Sequence, residues 1–113
     1  MMAEIEQRSN LCVGAIIEAR MGSSRLPGKV LMDVCGTPAL HRLCRRLALS
    51  QTVHKIVVAT TTDAKDEEVY EWCVREGINV FRGSEDDVLN RVVNAAAEFD
   101  IDVIVEKLFK FLF

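Results

Sequence analysis

Apolar residues along this chain follow two patterns in turn, short unbroken runs and stripes spaced three and four residues apart. Leu11 to Ile17 is a near-continuous apolar run, and Lys55 to Thr60 (KIVVAT) repeats that character. Such runs predict strands buried on both faces, as in a parallel sheet. Asn79 to Phe81 and Asp102 to Glu106 (DVIVE) predict a short third strand and a fourth. Between them lie the stripes. Leu40, Leu43, Cys44 and Leu47 predict a helix from about Pro38 to Leu49, with Thr37 as its cap and Pro38 in its first turn. Val69, Tyr70, Cys73 and Val74 mark the inner face of a second helix, capped by Asp63 or Asp66 and ended by Gly77. Val88, Leu89, Val92, Val93, Ala96 and Phe99 mark that of a third, opened by Ser84 and Asp87 in the manner of a capping box.

The order is β-loop-α-β-α-β-α-β, which implies an α/β fold, a mainly parallel sheet with helices on both faces. Residues 1–10 are expected to form a flexible arm, 11–106 the folded part, and 107–113 (KLFKFLF) an apolar tail that fits no element. A length of 113 residues suits one small domain. Half of the residues are hydrophobic and 27% charged, a globular composition. Net charge is −3, which argues against general nucleic-acid binding but leaves room for a local phosphate site. The four cysteines, Cys12, Cys35, Cys44 and Cys73, show neither C-x-x-C nor zinc spacing and read as buried free thiols. No apolar run reaches membrane-span length and the first residues are too polar for a signal peptide, so the expected location is cytoplasmic.

Ligands of open α/β sheets bind beyond the carboxyl ends of the strands. The segment after the first strand is Ala19-Arg20-Met21-Gly22-Ser23-Ser24-Arg25-Leu26-Pro27-Gly28-Lys29. Its glycines let backbone N–H groups approach an anion, its hydroxyls add donors, and Arg20, Arg25 and Lys29 supply positive charge. The loop suits a polyphosphate. It is neither a Walker A loop, since five residues separate Gly22 from Gly28 and Val30 follows Lys29, nor a dinucleotide fingerprint. Arg42, Arg45 and Arg46 read as a solvated helix face, and Glu67, Glu68 and Glu71 as another. His41 and His54 have no ligand partners. Tyr70 and Trp72 read as core.

The stretch EARMGSSRLPGKVL is similar to the signature of the acylneuraminate and deoxy-octulosonate cytidylyltransferases, most closely the branch of spore-coat polysaccharide synthesis. Gly36-Thr37-Pro38, Val57 to Thr60, Asp66 and Arg82-Gly83-Ser84 through Arg91 agree in order, so the resemblance runs from about Val13 to Glu106. It implies a Rossmann-like nucleotidyltransferase fold, three layers α/β/α, and transfer of CMP from CTP to a sugar hydroxyl with Mg²⁺ and release of pyrophosphate. By that resemblance Arg20 and Lys29 hold the triphosphate and act in catalysis. Ala19, Gly22, Ser23, Ser24, Arg25 and Gly28 line the nucleotide loop, and Arg82, Gly83 and Ser84 reach the nucleotide from the loop beyond the third strand. The expected partners are CTP or another nucleoside triphosphate and, in the full-length family, a sugar acceptor and a second copy forming a homodimer.

One departure follows. The resemblance implies a loop of type Thr-Gly-Asp-x-Pro after the fourth strand, whose Asp binds the metal. Here KLFKFLF stands in that place, as a frameshift or premature stop would leave it. Asp102 lies at the wrong end of the strand, and Glu106 is expected to have no pairing carboxylate. The expectation is a sugar cytidylyltransferase, catalytic in its full-length form, here truncated, its sheet incomplete at the C-terminus and its metal ligand missing, so that this chain alone is not expected to turn over. The alternative is a non-catalytic nucleotide-binding or inert remnant.

Overall fold

The computed structural model describes residues 10–22 and 27–108. Residues 1–9 and 109–113, which hold the expected arm and most of the expected tail, lie outside the described residues, as do Ser23, Ser24, Arg25 and Leu26. The elements are β1 (Val13–Glu18), a one-turn 3₁₀ helix (Lys29–Leu31), β2 (Asp33–Val34), β3 (Thr37–Pro38), α1 (Ala39–Ala48), β4 (Lys55–Thr61), a second 3₁₀ turn (Ala64–Asp66), α2 (Glu67–Glu76), β5 (Asn79–Gly83), α3 (Val88–Glu98) and β6 (Val103–Leu108).

Four strands form one parallel sheet in the order β5-β4-β1-β6. Ile16 at its centre pairs with Val57 on one side and Glu106 on the other. Because side chains alternate between faces, β1 feeds two cores. Ile17 and Ala19 join Val58, Leu40, Cys44, Val69, Trp72 and Cys73 beneath α1 and α2. Ile16 joins Val57, Ala59, Val92, Ala95 and Ala96 beneath α3. The result is the expected three-layer α/β/α arrangement. Gly14 is placed by a close approach, since a Cβ built there would meet Ile101 Cγ2 at 2.8 Å and Cδ1 more closely still. β6 is the exception to coverage. Val103, Ile104 and Val105 point to alternate faces, yet each keeps about 40% of its surface exposed.

Several expectations are corrected. Cys35-Gly36-Thr37-Pro38 has turn chemistry, and it does turn, but Thr37 lies in a strand and does not cap the helix. Asp33–Val34 and Thr37–Pro38 pair antiparallel, and Cys35 and Gly36 turn the corner with φ of 52° and 88°. Two positive φ values in a two-residue loop match the twist of a hairpin, and α1 begins afterwards without a side-chain cap. In α2 the inner face is Val69, Trp72 and Cys73, while Tyr70 and Val74 are exposed. In α3 the buried stripe is Arg91, Val92, Ala95 and Ala96, and Leu89 and Val93 face out. Asp87, not Ser84, caps α3, its carboxylate accepting from Asn90 N–H. Ser84 caps one step earlier, its hydroxyl accepting from Asp87 N–H. Cys44 and Cys73 are buried, but Cys35 is exposed.

Candidate functional site

In a parallel sheet all carboxyl ends face one way, so the loops after β1, β4 and β5 meet at one end. Ala19 N–H donates to Ala59 O, which continues the β1–β4 ladder beyond the strand, and Thr62 N–H donates to Gly83 O. The loop after β1 is closed by a neck. Gly28 N–H donates to Met21 O at 2.9 Å, which ties the two described ends of the loop together. Gly28 sits at φ 77°, which only glycine adopts without strain. Arg20 precedes the neck and is exposed, and Lys29 follows it in the 3₁₀ turn, half-buried. The two cations assigned to a triphosphate thus stand on either side of the neck.

The other side of Met21 is held too. Its N–H donates to Asp66 Oδ1 at 2.7 Å. Asp66 has no exposed surface, and its second oxygen accepts from the Thr61 hydroxyl at the end of β4. The turn before α2 also places Lys65 over the loop, since a Cβ on Gly22 would meet Lys65 Cε at 2.8 Å. Lys65 Nζ is paired with Glu85 at 3.6 Å and lies 4.0 Å from Asp63. It is a third cation at the site.

Among the remaining expected residues, Ala19 is buried in the core under α1 and α2. Arg82 turns inward along the sheet end: Nε donates to Thr61 O at 2.8 Å, Nη2 to Asp63 O at 2.9 Å, and Nη1 pairs with Glu67. Its role in this arrangement is to hold the loop after β4. Gly83 has Arg91 Cγ 3.0 Å from where a Cβ would stand.

Arg91 is 2% exposed. Its Nη1 donates to Ser84 O at 2.8 Å, and Nη2 stands 3.6 Å from Glu18 Oε1. Burial pushes the Glu18 carboxyl up to about 7, helped by a hydrogen bond and charge from Glu106, while Arg91 and Arg20 pull the other way. Burial likewise lowers Arg91 from its ordinary value, against the Glu18 charge. Glu106 therefore does have a carboxylate partner, contrary to expectation. Register explains it: Glu106 lies opposite Ile16, so Glu18 is its diagonal neighbour on the same face. Among the described residues Glu18 Oε2 meets no donor, and two carboxyls share a hydrogen bond only when one keeps a proton.

Mg²⁺ requires several oxygen ligands in octahedral geometry. Among the described residues no group of three His, Cys, Asp or Glu side chains is placed to hold an ion. Glu18 is faced by the Arg91 guanidinium, which repels a cation. These residues do not fit a Mg²⁺ site. A concavity of about 630 Å³ between α1 and α2, lined by His41, Arg45, His54, Lys55 and Glu76, lies at the opposite, amino end of β4 and is separate from this chemistry.

Sequence reasoning missed Glu18, Lys65 and Arg91. Arg91 carried a signal, because it falls in phase with Val92, Ala95 and Ala96 on the buried stripe.

The cytidylyltransferase family model matches residues 14–108. The spore coat polysaccharide biosynthesis protein SpsF of Bacillus subtilis is 39% identical over 94 residues, covering 80% of this chain and 39% of that protein. A cytidylyltransferase structure from Leptospira borgpetersenii superposes with a TM-score of 0.80 at 38% identity, over 88% of this chain and 42% of the other. A CMP:2-keto-3-deoxy-manno-octonic acid synthetase complexed with CTP superposes at 0.68 and 26% identity, over 86% and 39%. The chain thus spans about two fifths of the length of these relatives.

Proposed function

This chain belongs to the cytidylyltransferase family, and we propose that it carries the triphosphate-binding half of a site that activates a sugar acid as its CMP derivative. The observation that supports this most is the neck at Met21 and Gly28, which sets Arg20 and Lys29 at the base of a glycine-bearing loop beyond the carboxyl end of β1. There the two cations neutralise phosphate oxygens and stabilise the charge that develops on leaving pyrophosphate. Gly22, Ser23, Ser24, Arg25 and Gly28 line the loop, and Gly83 and Ser84 approach from β5. CTP is the nucleotide proposed, and the acceptor hydroxyl belongs to a sugar of the deoxy-octulosonate type. Mg²⁺ belongs to the family reaction, and the described carboxylates supply no seat for it. A second reading, nucleotide binding without turnover, is favoured by the engagement of Glu18 with Arg91.

Calorimetric titration with CTP, with and without Mg²⁺ and with ATP as control, tests the proposal. Saturable CTP binding that weakens about tenfold or more in Arg20→Ala and Lys29→Ala is expected, the loss of one charge-assisted contact each. A folded chain that binds no CTP, or variants that bind as well as the parent, overturn it.

A further inference from the structure

The loop neck has two backbone anchors on one residue. Met21 O accepts from Gly28 N–H, and Met21 N–H donates to a side chain 45 residues away, that of Asp66. We propose that Asp66 is a positioning residue for the phosphate loop, touching no nucleotide itself and presetting the Met21 peptide, and with it the neck that Arg20 and Lys29 flank. The inference rests on the nucleotide-loop reading above.

The geometry carries the assignment. Asp66 is fully buried, so both oxygens need donors. They find one from the phosphate loop, at 2.7 Å, and one from the Thr61 hydroxyl at the end of β4. The Thr61 oxygen in turn accepts from Asp63 N–H at 3.1 Å, so the network reaches across the turn that leads into α2. Asp66 stands at the head of α2, where the helix dipole favours negative charge, and it makes no capping bond to that helix. A carboxylate spent on Met21 rather than on its own helix is arranged for the loop. It joins the loop to the strand beside it, and a loop held in its bound shape loses less freedom when an anion arrives.

The amide side chain of Asp66→Asn has the same shape, and its one oxygen can serve Met21. Its NH₂ then faces the Thr61 hydroxyl, whose hydrogen loses its acceptor and must turn away, so the two-donor arrangement is lost. Asp66→Asn, and Thr61→Val as a milder break in the same network, are compared with the parent by amide hydrogen exchange at Met21 and Gly28 and by CTP titration. Gly14→Ala, at the far end of β1, serves as a destabilised control. Exchange at Met21 and Gly28 is expected to quicken about tenfold in both network variants, and CTP affinity to fall about tenfold. Gly14→Ala is expected to leave CTP affinity unchanged. If the parent binds CTP and both folded network variants bind it equally well, the positioning role is overturned while the nucleotide reading stands. If Gly14→Ala weakens CTP as much, the effect is general destabilisation and the role is again overturned. If the parent itself binds no CTP, both readings fall together.

Discussion

Replacing Glu18 by Gln is expected to flatten the pH dependence of folding near neutrality. Glu18 is 8% exposed, and its carboxyl moves from 4.5 to about 7 on folding, because burial and Glu106 disfavour its charge more than Arg91 and Arg20 favour it. A carboxyl raised in this way holds its proton more tightly in the folded chain than in the unfolded one. The stability that this group contributes is therefore fully present below about pH 4.5 and is lost as pH rises towards 7. One proton is worth about 1.4 kcal/mol per pH unit between those values, so this group removes about 2 kcal/mol between pH 5 and 7.5. The Gln amide keeps the shape, cannot ionise, and donates to Glu106. Urea denaturation at the two pH values reads the difference, followed through Trp72, the single tryptophan, which is buried. Any constant penalty of the substitution, including the altered surroundings of Arg91, cancels when each chain is compared with itself. The parent is expected to lose about 2 kcal/mol more than the variant. Equal losses in the two chains would refute the reasoning, because the pH dependence would then come from other groups.

Gly14→Ala forces a methyl into Ile101 and is expected to lower stability by about 1–3 kcal/mol, measured by the same denaturation, with partial recovery in the double variant carrying Ile101→Val. An undiminished Gly14→Ala chain would show that Ile101 moves aside freely. Alkylation by iodoacetamide near pH 8, followed by mass spectrometry, is expected to label exposed Cys35 well before Cys44 and Cys73. Burial pushes those two thiols up to about 11 and about 12, so neither forms thiolate in the folded chain. Comparable labelling of all three would contradict the burial argument.

The alternation of strands and helices was readable because KIVVAT and its counterparts are short, unbroken and bounded by turn residues. The phase of α2 was not. Tyr70 and Val74 are as apolar as Trp72, and with i and i+3 or i+4 spacing open to both choices, only packing against Ile17 and Leu40 selects Trp72. The turn chemistry of Cys35-Gly36-Thr37-Pro38 was legible, but Thr37 reads as the helix cap because Thr-Pro also serves that role, and the deciding fact is the pairing of Asp33 with Pro38. The phosphate loop was visible because its chemistry is contiguous. Its support was not: Asp66 reaches Met21 across 45 residues, and Glu18, Arg91 and Glu106 come from three separate elements. Charged side chains far apart in the sequence become neighbours when strands are ordered β5-β4-β1-β6.

That strand order also bears on how the protein is made. β1 is an early strand in the chain but an inner one in the sheet, and its two neighbours come late. His54 accepts from Val13 N–H 41 residues back, and Asp102 accepts from Cys12 N–H 90 residues back. At about 5–20 residues per second, ribosomal synthesis separates β1 from β6 by roughly 5–20 s. In that interval β4 and β5 can join β1 and fold beneath α1 and α2, while the other edge of β1 stays open. Closing the longer loop costs chain entropy before any pairing is gained, so β6 docks last and slowly. For its first seconds the nascent protein therefore presents the middle of its finished sheet as an unpaired border, and that border is where mispairing with other chains is to be sought.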